Sequence, residues 1–468
     1  MFVGRKRELA TLNSLYERGG FQMVVVYGRR RVGKTALINE FAHDKRALSF
    51  TALEQGDAAN LADFSRKIAE FFGLPASMGP FSTWLDAFDY LADQAAREPL
   101  VFIFDELPYA AQRGESVPSA LQIAIDRKLQ NTEAFIILCG SDQGFMESDI
   151  LGRKSPLYGR RTAQIKLGPL GYREAAEMLP GLDPQEQFRF YGCFGGVPYY
   201  LRQVDPARSL RENLASLYFD PTGFLFDEPY GLLRQELSEP ALYAGVLRAI
   251  ASGATRSKEI AEKAGMEPTS VTRYLRTLER LGIVERSVPF GENTQTSKRS
   301  SYKIADACFD FWFRFVMPKV SDVEGGLGSV VANRLPEQQL SDYLGHRFER
   351  LCAEWMLEQA AAGRLPIAAS AVGSWWGPNP AKREQDDIDV LAADREQNLL
   401  VIGECKYRES FDETSEIDDL DSKRDLIRGY HASHLYLFSK RAVSVATAEK
   451  CAHRSDVHLI TLEEIYTL

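Results

Sequence analysis

The feature that most constrains this chain is an octapeptide near its amino terminus, Gly28-Arg29-Arg30-Arg31-Val32-Gly33-Lys34-Thr35. It matches the pattern G-x-x-x-x-G-K-[ST], follows an apolar run at 24–27 and precedes a helical pattern. In that context the glycines let backbone N–H groups surround phosphates, Lys34 reaches the outer phosphates, and the Thr35 hydroxyl suits Mg²⁺. The sequence therefore predicts an ATP and Mg²⁺ site on a strand-loop-helix unit. The residues predicted to hold the nucleotide in this loop are Gly28, Arg29, Arg31, Val32, Gly33, Lys34, Thr35 and Ala36.

A second apolar run, at 100–104, ends in the two acids Asp105 and Glu106. In ATP-hydrolysing proteins with such a loop, one carboxylate at this position holds the Mg²⁺ shell and another polarises the attacking water. We therefore predict Asp105 as a metal and nucleotide residue and Glu106 as the catalytic base. The alternative is a core strand that ends in two solvated acids, and the loop upstream argues against it.

Apolar runs alternate with helical patterns along the first third of the chain. The runs at 23–27, 100–104 and 134–138 predict buried strands of a parallel sheet covered by helices. From about residue 167 to 238 the strand runs stop and helical periodicity takes over, which predicts a small helical subdomain. We therefore expect a multidomain α/β protein.

Length and composition exclude several classes of protein. The 468 residues are 45% hydrophobic and 26% charged, so a disordered, collagen-like or coiled-coil chain is excluded as the main architecture. No run approaches the ~18 apolar residues of a membrane span and no signal peptide is recognisable, so we expect a cytoplasmic protein with no membrane partner. The six cysteines stand singly, which argues against zinc fingers and disulfides. The net charge of −9 requires any DNA binding to use a local basic face.

The amino terminus resembles a known group of nucleotide-binding proteins. Phe2-Val3-Gly4-Arg5-Lys6-Arg7-Glu8-Leu9 matches the Phe-Val-Gly-Arg-x-x-Glu-Leu box of a group of archaeal and bacterial AAA+/STAND-type P-loop ATPases. The resemblance implies that this box packs near the adenine and that Ser141, after the run at 136–139, is a polar sensor. It also implies that Gly195-Gly196-Val197-Pro198 belongs to a helical lid.

The segment Pro156-Leu157-Tyr158-Gly159-Arg160-Arg161 is similar to the arginine-bearing segment of the same group. A guanidinium at this position can neutralise charge on a γ-phosphate across a subunit boundary. The resemblance therefore makes Arg160 or Arg161 a candidate catalytic residue in a homo-oligomer. Ordinary surface or ion-pair duty is an equally good interpretation of both arginines.

Residues 239–307 carry the pattern of a winged helix: three short helices, a strand, a polar loop and a second strand. The stretch 251–303 holds ten Lys/Arg against six Asp/Glu, so its charge is opposite in sign to that of the whole chain. We predict DNA binding by the exposed face of the third helix, with a protein-protein module as the alternative. The residues predicted to contact DNA are Thr269, Ser270, Arg273, Tyr274, Arg276 and Arg280.

The carboxyl-terminal part carries the pattern D-x₁₄-E-x-K at Asp389, Glu404 and Lys406. Strand alternation puts Glu404 and Lys406 on one face, and a hairpin brings Asp389 beside them. Such carboxylates suit Mg²⁺ or Mn²⁺, and the lysine suits the water that attacks a phosphodiester. The pattern resembles the PD-(D/E)XK nucleases, and Glu349 on the preceding helix matches their additional acidic metal residue. The proline of that family is absent here, and the alternative is a charged, solvent-facing hairpin.

These patterns predict an ATP-hydrolysing, DNA-associated protein whose nucleotide state controls a restriction-endonuclease-like α/β domain. The alternatives are a STAND-like switch or transcription regulator with an inactive C-terminal scaffold, and an ATP-driven assembly module that acts on proteins alone. The expected domains are an ATPase core at 1–166, a helical lid at 167–238, a winged helix at 239–307, a connecting segment at 308–339 and a nuclease-like domain at 340–468.

Overall fold

The computed structural model describes residues 2–75, 77, 79–111 and 116–467. The chain divides into two compact units. The first comprises Met1–Met178 and Gly196–Tyr200, and the second comprises Leu179–Gly195 and Leu201–Leu468. Within the described ranges, no helix combines the length and the apolar character that crossing a bilayer requires.

A five-stranded sheet forms the centre of the first unit. Its strands are β1 (Gln22–Tyr27), β2 (Ala47–Thr51), β3 (Leu100–Asp105), β4 (Ala134–Gly140) and β5 (Ala163–Lys166). All pairings are parallel and the spatial order is β2-β3-β4-β1-β5, which confirms the predicted parallel sheet. Strands β2 and β5 were not predicted, because exposed positions interrupt their apolar residues and leave no continuous apolar run.

Helices cover both faces of this sheet. They are α1 (Lys6–Arg18), α2 (Lys34–Ala42), α3 (Asp57–Phe72), α4 (Trp84–Ala95), α5 (Leu107–Ala111), α6 (Ser116–Arg127), α7 (Gln143–Phe145) and α8 (Tyr172–Glu177). On one face Phe64 of α3 stacks on Trp84 of α4, and both contact Phe104 of β3. On the other face Leu37 of α2 packs in a core with Val24 of β1. Because β1 is buried on both faces, its carboxyl end and the loop that follows are held firmly.

Helices continue after the sheet, as predicted for 167–238: α9 (Pro184–Phe194), α10 (Pro198–Leu201), α11 (Leu210–Tyr218) and α12 (Glu228–Glu236). Three further helices and a hairpin follow, namely α13 (Pro240–Ala251), α14 (Ser257–Ala264), α15 (Pro268–Arg280), β6 (Val284–Ser287) and β7 (Ser301–Ile304). The strands β6 and β7 pair antiparallel. Gly265 ends α14 in the left-handed conformation, and Pro268 begins α15, as is typical of helix ends. The predicted order of three helices and a hairpin is therefore confirmed.

A mixed sheet forms the last part of the second unit. The helices that precede it are α16 (Ala307–Phe311), α17 (Val320–Asp322), α18 (Gly328–Asn333) and α19 (Glu337–Ala361). The strands are β8 (Ala371–Asn379), β9 (Glu384–Asp394), β10 (Leu399–Lys406), β11 (His431–Ser439) and β12 (Val457–Thr461), with helices α20 (Glu413–Ser422), α21 (Val445–Cys451) and α22 (Leu462–Thr467). The order is β12-β11-β10-β9-β8. Strands β8, β9 and β10 pair antiparallel, and β10, β11 and β12 pair parallel, so the predicted hairpin of β9 and β10 is confirmed.

Candidate functional site

The phosphate loop connects β1 to α2 in a conformation that depends on its two glycines. A Cβ on Gly28 would lie 2.2 Å from the carbonyl oxygen of Leu167, so only glycine fits there. Arg31 and Gly33 both have positive φ angles, 70° and 93°. Backbone strain of this kind is typical of loops that turn successive N–H groups toward a ligand.

Lys34 and Thr35 lie at the start of α2, where the loop motif predicts them. The Lys34 side chain is only 7% exposed, and its ammonium donates to the carbonyl oxygens of Gly28 (2.8 Å) and Arg29 (3.2 Å). The Thr35 hydroxyl donates to Asp105 Oδ2 at 3.3 Å. Asp105 comes from β3, so the fold brings together the hydroxyl and the carboxylate that were predicted as metal residues.

Glu106 and Ser141 follow the adjacent strands β3 and β4 and meet at the same edge of the sheet. The Glu106 carboxylate accepts hydrogen bonds from the Ser141 hydroxyl (2.8 Å) and backbone N–H (3.2 Å). Glu106 also has a φ of 49°, which is uncommon for a residue with a side chain. The predicted base and the predicted sensor are therefore joined directly, and a polar partner holds the base in place.

Arg5 of the amino-terminal box is a site residue to which the sequence analysis gave no role. Its guanidinium donates to the carbonyl oxygen of Val32 in the phosphate loop (3.0 Å) and to that of Gly168 (2.5 Å), and the side chain is 6% exposed. Its backbone N–H donates to Glu174 Oε1 at 2.7 Å. Burial lowers the pKa of Arg5, and nearby carboxylates partly offset this effect. The position of Arg5 directly after Gly4 in the box was the available signal, and the sequence indicates no partner for it.

The Gly195-Gly196-Val197-Pro198 element also lies at the phosphate loop. A Cβ on Gly33 would be 3.7 Å from the Pro198 ring, and the Arg31 guanidinium lies 5.4 Å from the centre of the Tyr199 ring. Position 196 also requires glycine, because a Cβ there would be 1.9 Å from the carbonyl oxygen of Leu170. The loop is thus lined by a second segment that is distant in sequence.

The two candidate arginines have protein partners. Arg160 forms a bidentate pair with Asp126 of α6, with distances of 2.8 Å and 2.7 Å, and this interaction lowers the pKa of Asp126. Arg161 donates to the carbonyl oxygen of Leu151 at 3.3 Å. Exposed ion pairs of this kind contribute only about 0–1 kcal/mol, so a phosphate could compete for Arg160. A role across a subunit boundary stays a prediction for both residues.

The third helix of the winged-helix region presents most of the predicted DNA contacts to solvent. Arg273 forms an exposed pair with Glu239 at 2.9 Å. Tyr274 corrects the prediction, because its side chain is 3% exposed, packs edge-on against Tyr243, and directs its hydroxyl to Glu239. It faces the core like Leu275 because it lies three residues after Val271, in the apolar stripe of α15. The predicted residues that are exposed are Thr269, Ser270, Arg273, Arg276 and Arg280.

The carboxyl-terminal pattern assembles on the hairpin of β9 and β10. The Cys405 N–H donates to Asp389 Oδ2 at 2.8 Å. The Lys406 ammonium lies 2.8 Å from Glu404 and 3.1 Å from Glu416 of α20. Burial raises the pKa of Asp389 well above its usual range, and the carboxylates of Glu404 and Glu349 raise it further. The cluster therefore has an excess of negative charge around Asp389.

Glu349 lies on α19 as predicted, 3.3 Å from the ammonium of Lys303 on β7 and 3.1 Å from His346. Over the described ranges, no three His, Cys, Asp or Glu side chains lie close enough to form a metal-binding group. The three predicted metal residues Glu349, Asp389 and Glu404 are thus neighbours without being gathered around one point, and their role as ligands stays a prediction.

Lys423 is a buried cation next to this cluster that the sequence analysis missed. Its ammonium lies 3.0 Å from Asp386 and 2.9 Å from Asp419, and it donates to the Asp387 carbonyl oxygen at 3.0 Å. Asp419 belongs to the strongly acidic run at 412–425. The available signal was the spacing of four residues between Asp419 and Lys423, which places both on one face of a helix.

Three parts of the sequence match known protein families. Residues 2–204 match an ATPase domain found predominantly in Archaea. Residues 244–287 match the IclR helix-turn-helix domain, and residues 312–417 match archaeal and bacterial proteins of unknown function.

Individual relatives extend this picture. An uncharacterised ATP-binding protein of Methanocaldococcus jannaschii is 46% identical over 46 residues, which are 10% of this chain and 78% of the relative. A Walker-type ATPase of Pyrococcus abyssi aligns with a TM-score of 0.49 at 19% identity, over 67% of this chain and 96% of that one. An uncharacterised protein of Methanocaldococcus jannaschii is 30% identical over 467 residues, which are 99% of this chain and 100% of the relative. The chain therefore belongs to the same family as this full-length relative, and its amino-terminal part is an archaeal-type P-loop ATPase domain.

Proposed function

We propose that this protein hydrolyses ATP with Mg²⁺, associates with DNA through its winged helix, and uses its nucleotide state to control a metal-dependent nuclease site. In this proposal residues 1–166 are the ATPase core, 167–238 the lid, 239–307 the winged helix, 308–339 a connector and 340–468 the nuclease-like domain. The observation that carries the ATPase part is the meeting of Thr35 with Asp105, and of Glu106 with Ser141, beside the phosphate loop.

Each residue of the ATP site has a distinct task. Backbone N–H groups of the loop bind the phosphates, and Lys34 exchanges its two carbonyl acceptors for phosphate oxygens. The oxygens of Thr35 and Asp105 suit Mg²⁺, which supplies neutralisation of the phosphate charge when bound. Glu106 leaves Ser141 to accept a proton from the attacking water. Arg160 or Arg161 of a neighbouring copy would complete the site in a homo-oligomer.

Replacing Lys34 by alanine should weaken ATP binding by about 10-fold to 100-fold, because a charge-assisted hydrogen bond contributes about 1.5–3 kcal/mol. The measurement is titration of the full chain with a fluorescent ATP analogue. Lys67→Ala is the control, since Lys67 lies on the exposed face of α3 and pairs only with Glu70 in the part of the chain described. Equal affinity in wild type and Lys34→Ala would contradict the assignment.

The nuclease part rests on the arrangement at β9 and β10. The carboxylates of Asp389 and Glu404 fit a divalent cation, because both are buried and Asp389 lies beside the like charges of Glu404 and Glu349. Glu404 is balanced by the Lys406 ammonium, which a cation would have to displace. A bound cation would supply Lewis-acid activation of a phosphodiester. Lys406 would then orient the attacking water at the carboxyl end of β10, while the Cys405 N–H holds the Asp389 carboxylate in place.

One observation favours the second candidate, a switch or regulator with an inactive C-terminal scaffold. The Lys406 ammonium is paired with both Glu404 and Glu416, so it is committed to neutralising carboxylates. An ammonium held in this way is a poor partner for water. The two candidates differ in whether a divalent cation releases Lys406 from Glu404.

The test is incubation of the purified full chain with single-stranded and duplex DNA, with Mg²⁺ or Mn²⁺, in the presence and absence of ATP. We expect metal-dependent cleavage whose rate changes with ATP, since lid movement is the means by which the nucleotide can act on a distant domain. ATP hydrolysis without cleavage under any of these conditions would support the scaffold.

The winged helix gives a separate prediction. Neutralising Arg273, Arg276 and Arg280 together should reduce the slope of log affinity against log salt by about 2.7 for duplex DNA, because each phosphate contact contributes about 0.9. The measurement is a salt titration by fluorescence anisotropy. Arg248→Ala on α13 provides a control arginine from the same region. An unchanged slope would favour the alternative that the winged helix binds a protein partner.

A further inference from the structure

The hairpin of the winged helix is fastened to the helix that carries Glu349. Arg350 of α19 forms an ion pair with Glu285 of β6. One residue earlier, Glu349 lies 3.3 Å from Lys303 of β7. Both strands of the hairpin therefore contact adjacent positions of the same helix, so the hairpin does not hang freely from the winged helix.

The loop between β6 and β7 is fastened to β8. The Phe290 N–H donates to the Ser374 carbonyl oxygen at 2.9 Å. The Arg299 guanidinium donates to the carbonyl oxygen of Trp376. These contacts to carbonyl oxygens of β8 hold the loop along that strand. Strand β8 pairs with β9, and β9 carries Asp389. The winged helix thus forms one wall of a cleft whose other wall is the candidate nuclease sheet.

This cleft has a volume of about 290 Å³. Its two walls differ in chemistry. The winged-helix wall contributes cations, whereas the sheet wall contributes aromatic rings and carboxylates. The first wall carries Arg256, Arg299 and Lys303, and the second carries Trp375, Trp376 and Asp389.

We propose that this cleft binds an unpaired polynucleotide strand and delivers one of its phosphodiesters to Asp389. Cations that follow a backbone, together with aromatic rings that stack on bases, are the two elements of single-strand binding sites. The volume of the cleft is at the lower limit for ligand pockets and has room for about one nucleotide unit. A duplex is therefore too large to enter the cleft while the hairpin stays attached to β8 and α19. The proposal rests on the proposed nuclease function and adds the form of its substrate.

Lys303 connects strand binding to the metal site. In the absence of a strand its ammonium neutralises Glu349. When a phosphate enters, Lys303 can pair with it instead, and Glu349 becomes available beside Asp389. Substrate and cation would therefore enter the cleft together.

The test measures binding without cleavage, in EDTA, by anisotropy of a labelled oligo-dT, an oligo-U and the duplex of oligo-dT with oligo-dA. Wild type should bind both single strands, and substitutions in the cleft should weaken single-strand binding while duplex binding through α15 stays unchanged. Arg256→Ala with Lys303→Ala should lower the slope of log affinity against log salt by about 1.4, because each contact to a single strand contributes about 0.7. Trp376→Ala should weaken binding about tenfold, the loss of one stacked base. Arg208→Ala, an exposed arginine paired with Asp205, is the control.

Thermal unfolding of each variant by circular dichroism checks the fold, and Arg256→Ala alone replaces the double variant if the latter unfolds early. Single-strand affinity that is unchanged in the variants, or duplex affinity that falls in them as much as single-strand affinity, would overturn the proposal. Strand binding that depends on Arg256 and Lys303, with no cleavage by wild type in Mn²⁺, would instead refute the nuclease function and leave the binding cleft standing.

Discussion

Replacing Glu106 by glutamine is expected to reduce ATP hydrolysis by about 10²-fold to 10⁴-fold while ATP affinity stays at the wild-type value. Glutamine has the shape of glutamate and can accept the same hydrogen bonds from Ser141, so the left-handed turn after β3 should persist. What it lacks is the basic oxygen that takes a proton from water. The measurement is steady-state phosphate release beside titration with a fluorescent ATP analogue.

Glu70→Gln on the exposed surface of α3 is the matched control and should hydrolyse ATP at the wild-type rate. Ser141→Ala tests the hydrogen bond between Ser141 and Glu106 separately, because it removes the hydroxyl that holds the base and leaves the base itself. Hydrolysis by the Glu106 variant at the parent rate would show that another group activates the water.

Changing Asp389 to asparagine, or Glu404 to glutamine, is expected to lower metal-dependent cleavage about a thousandfold or more, since a cation supplies several kcal/mol in such reactions. ATP hydrolysis should not change, because the two sites lie in different units of the chain. Calorimetric titration of Mn²⁺ into the nucleotide-free full chain should show weaker binding in both variants.

Lys406→Ala should differ from these carboxylate variants. It removes a cation from Glu404, so Mn²⁺ binding should persist or strengthen while cleavage falls. Asp418→Asn on the exposed side of α20 is the control and should match wild type in both assays. Equal Mn²⁺ affinity in wild type and Asp389→Asn would remove the metal-site assignment and favour the scaffold alternative.

The ATP site could be predicted closely because its information is local. Strand, loop and helix follow one another within the octapeptide region, and parallel strands end at a common edge. Asp105 and Glu106 at the end of β3 were therefore expected near the loop, and the family resemblance added Ser141 after β4. The structure joins Thr35 to Asp105 and Glu106 to Ser141. The hairpin of β9 and β10 was also predicted, and in the structure the Cys405 N–H of β10 donates to the Asp389 carboxylate of β9.

Other contacts could not be predicted, since each depends on a partner that is distant in sequence. Nothing in the residues around Arg160 indicates Asp126 of α6, and nothing around Arg5 indicates Gly168. Tyr274 was misplaced for another reason. A tyrosine suits both an exposed recognition face and a buried stripe that leaves its hydroxyl a partner, and only the tertiary position of Glu239 decides between them.

The 25-residue helix α19 has a consequence for how this chain can be divided. Its Tyr343 hydroxyl donates to the carbonyl oxygens of Gly192 and Ala307, and its Arg347 donates to that of Ala305. Dividing the chain at residue 340 would remove the buried donors of these carbonyl groups. It would also expose apolar surface on both fragments. The carboxyl-terminal sheet is therefore not a domain that can be exchanged independently of the rest of its unit. Recombination that exchanged it between relatives would have to carry the winged helix and α9 along, so these parts are expected to be inherited as one block.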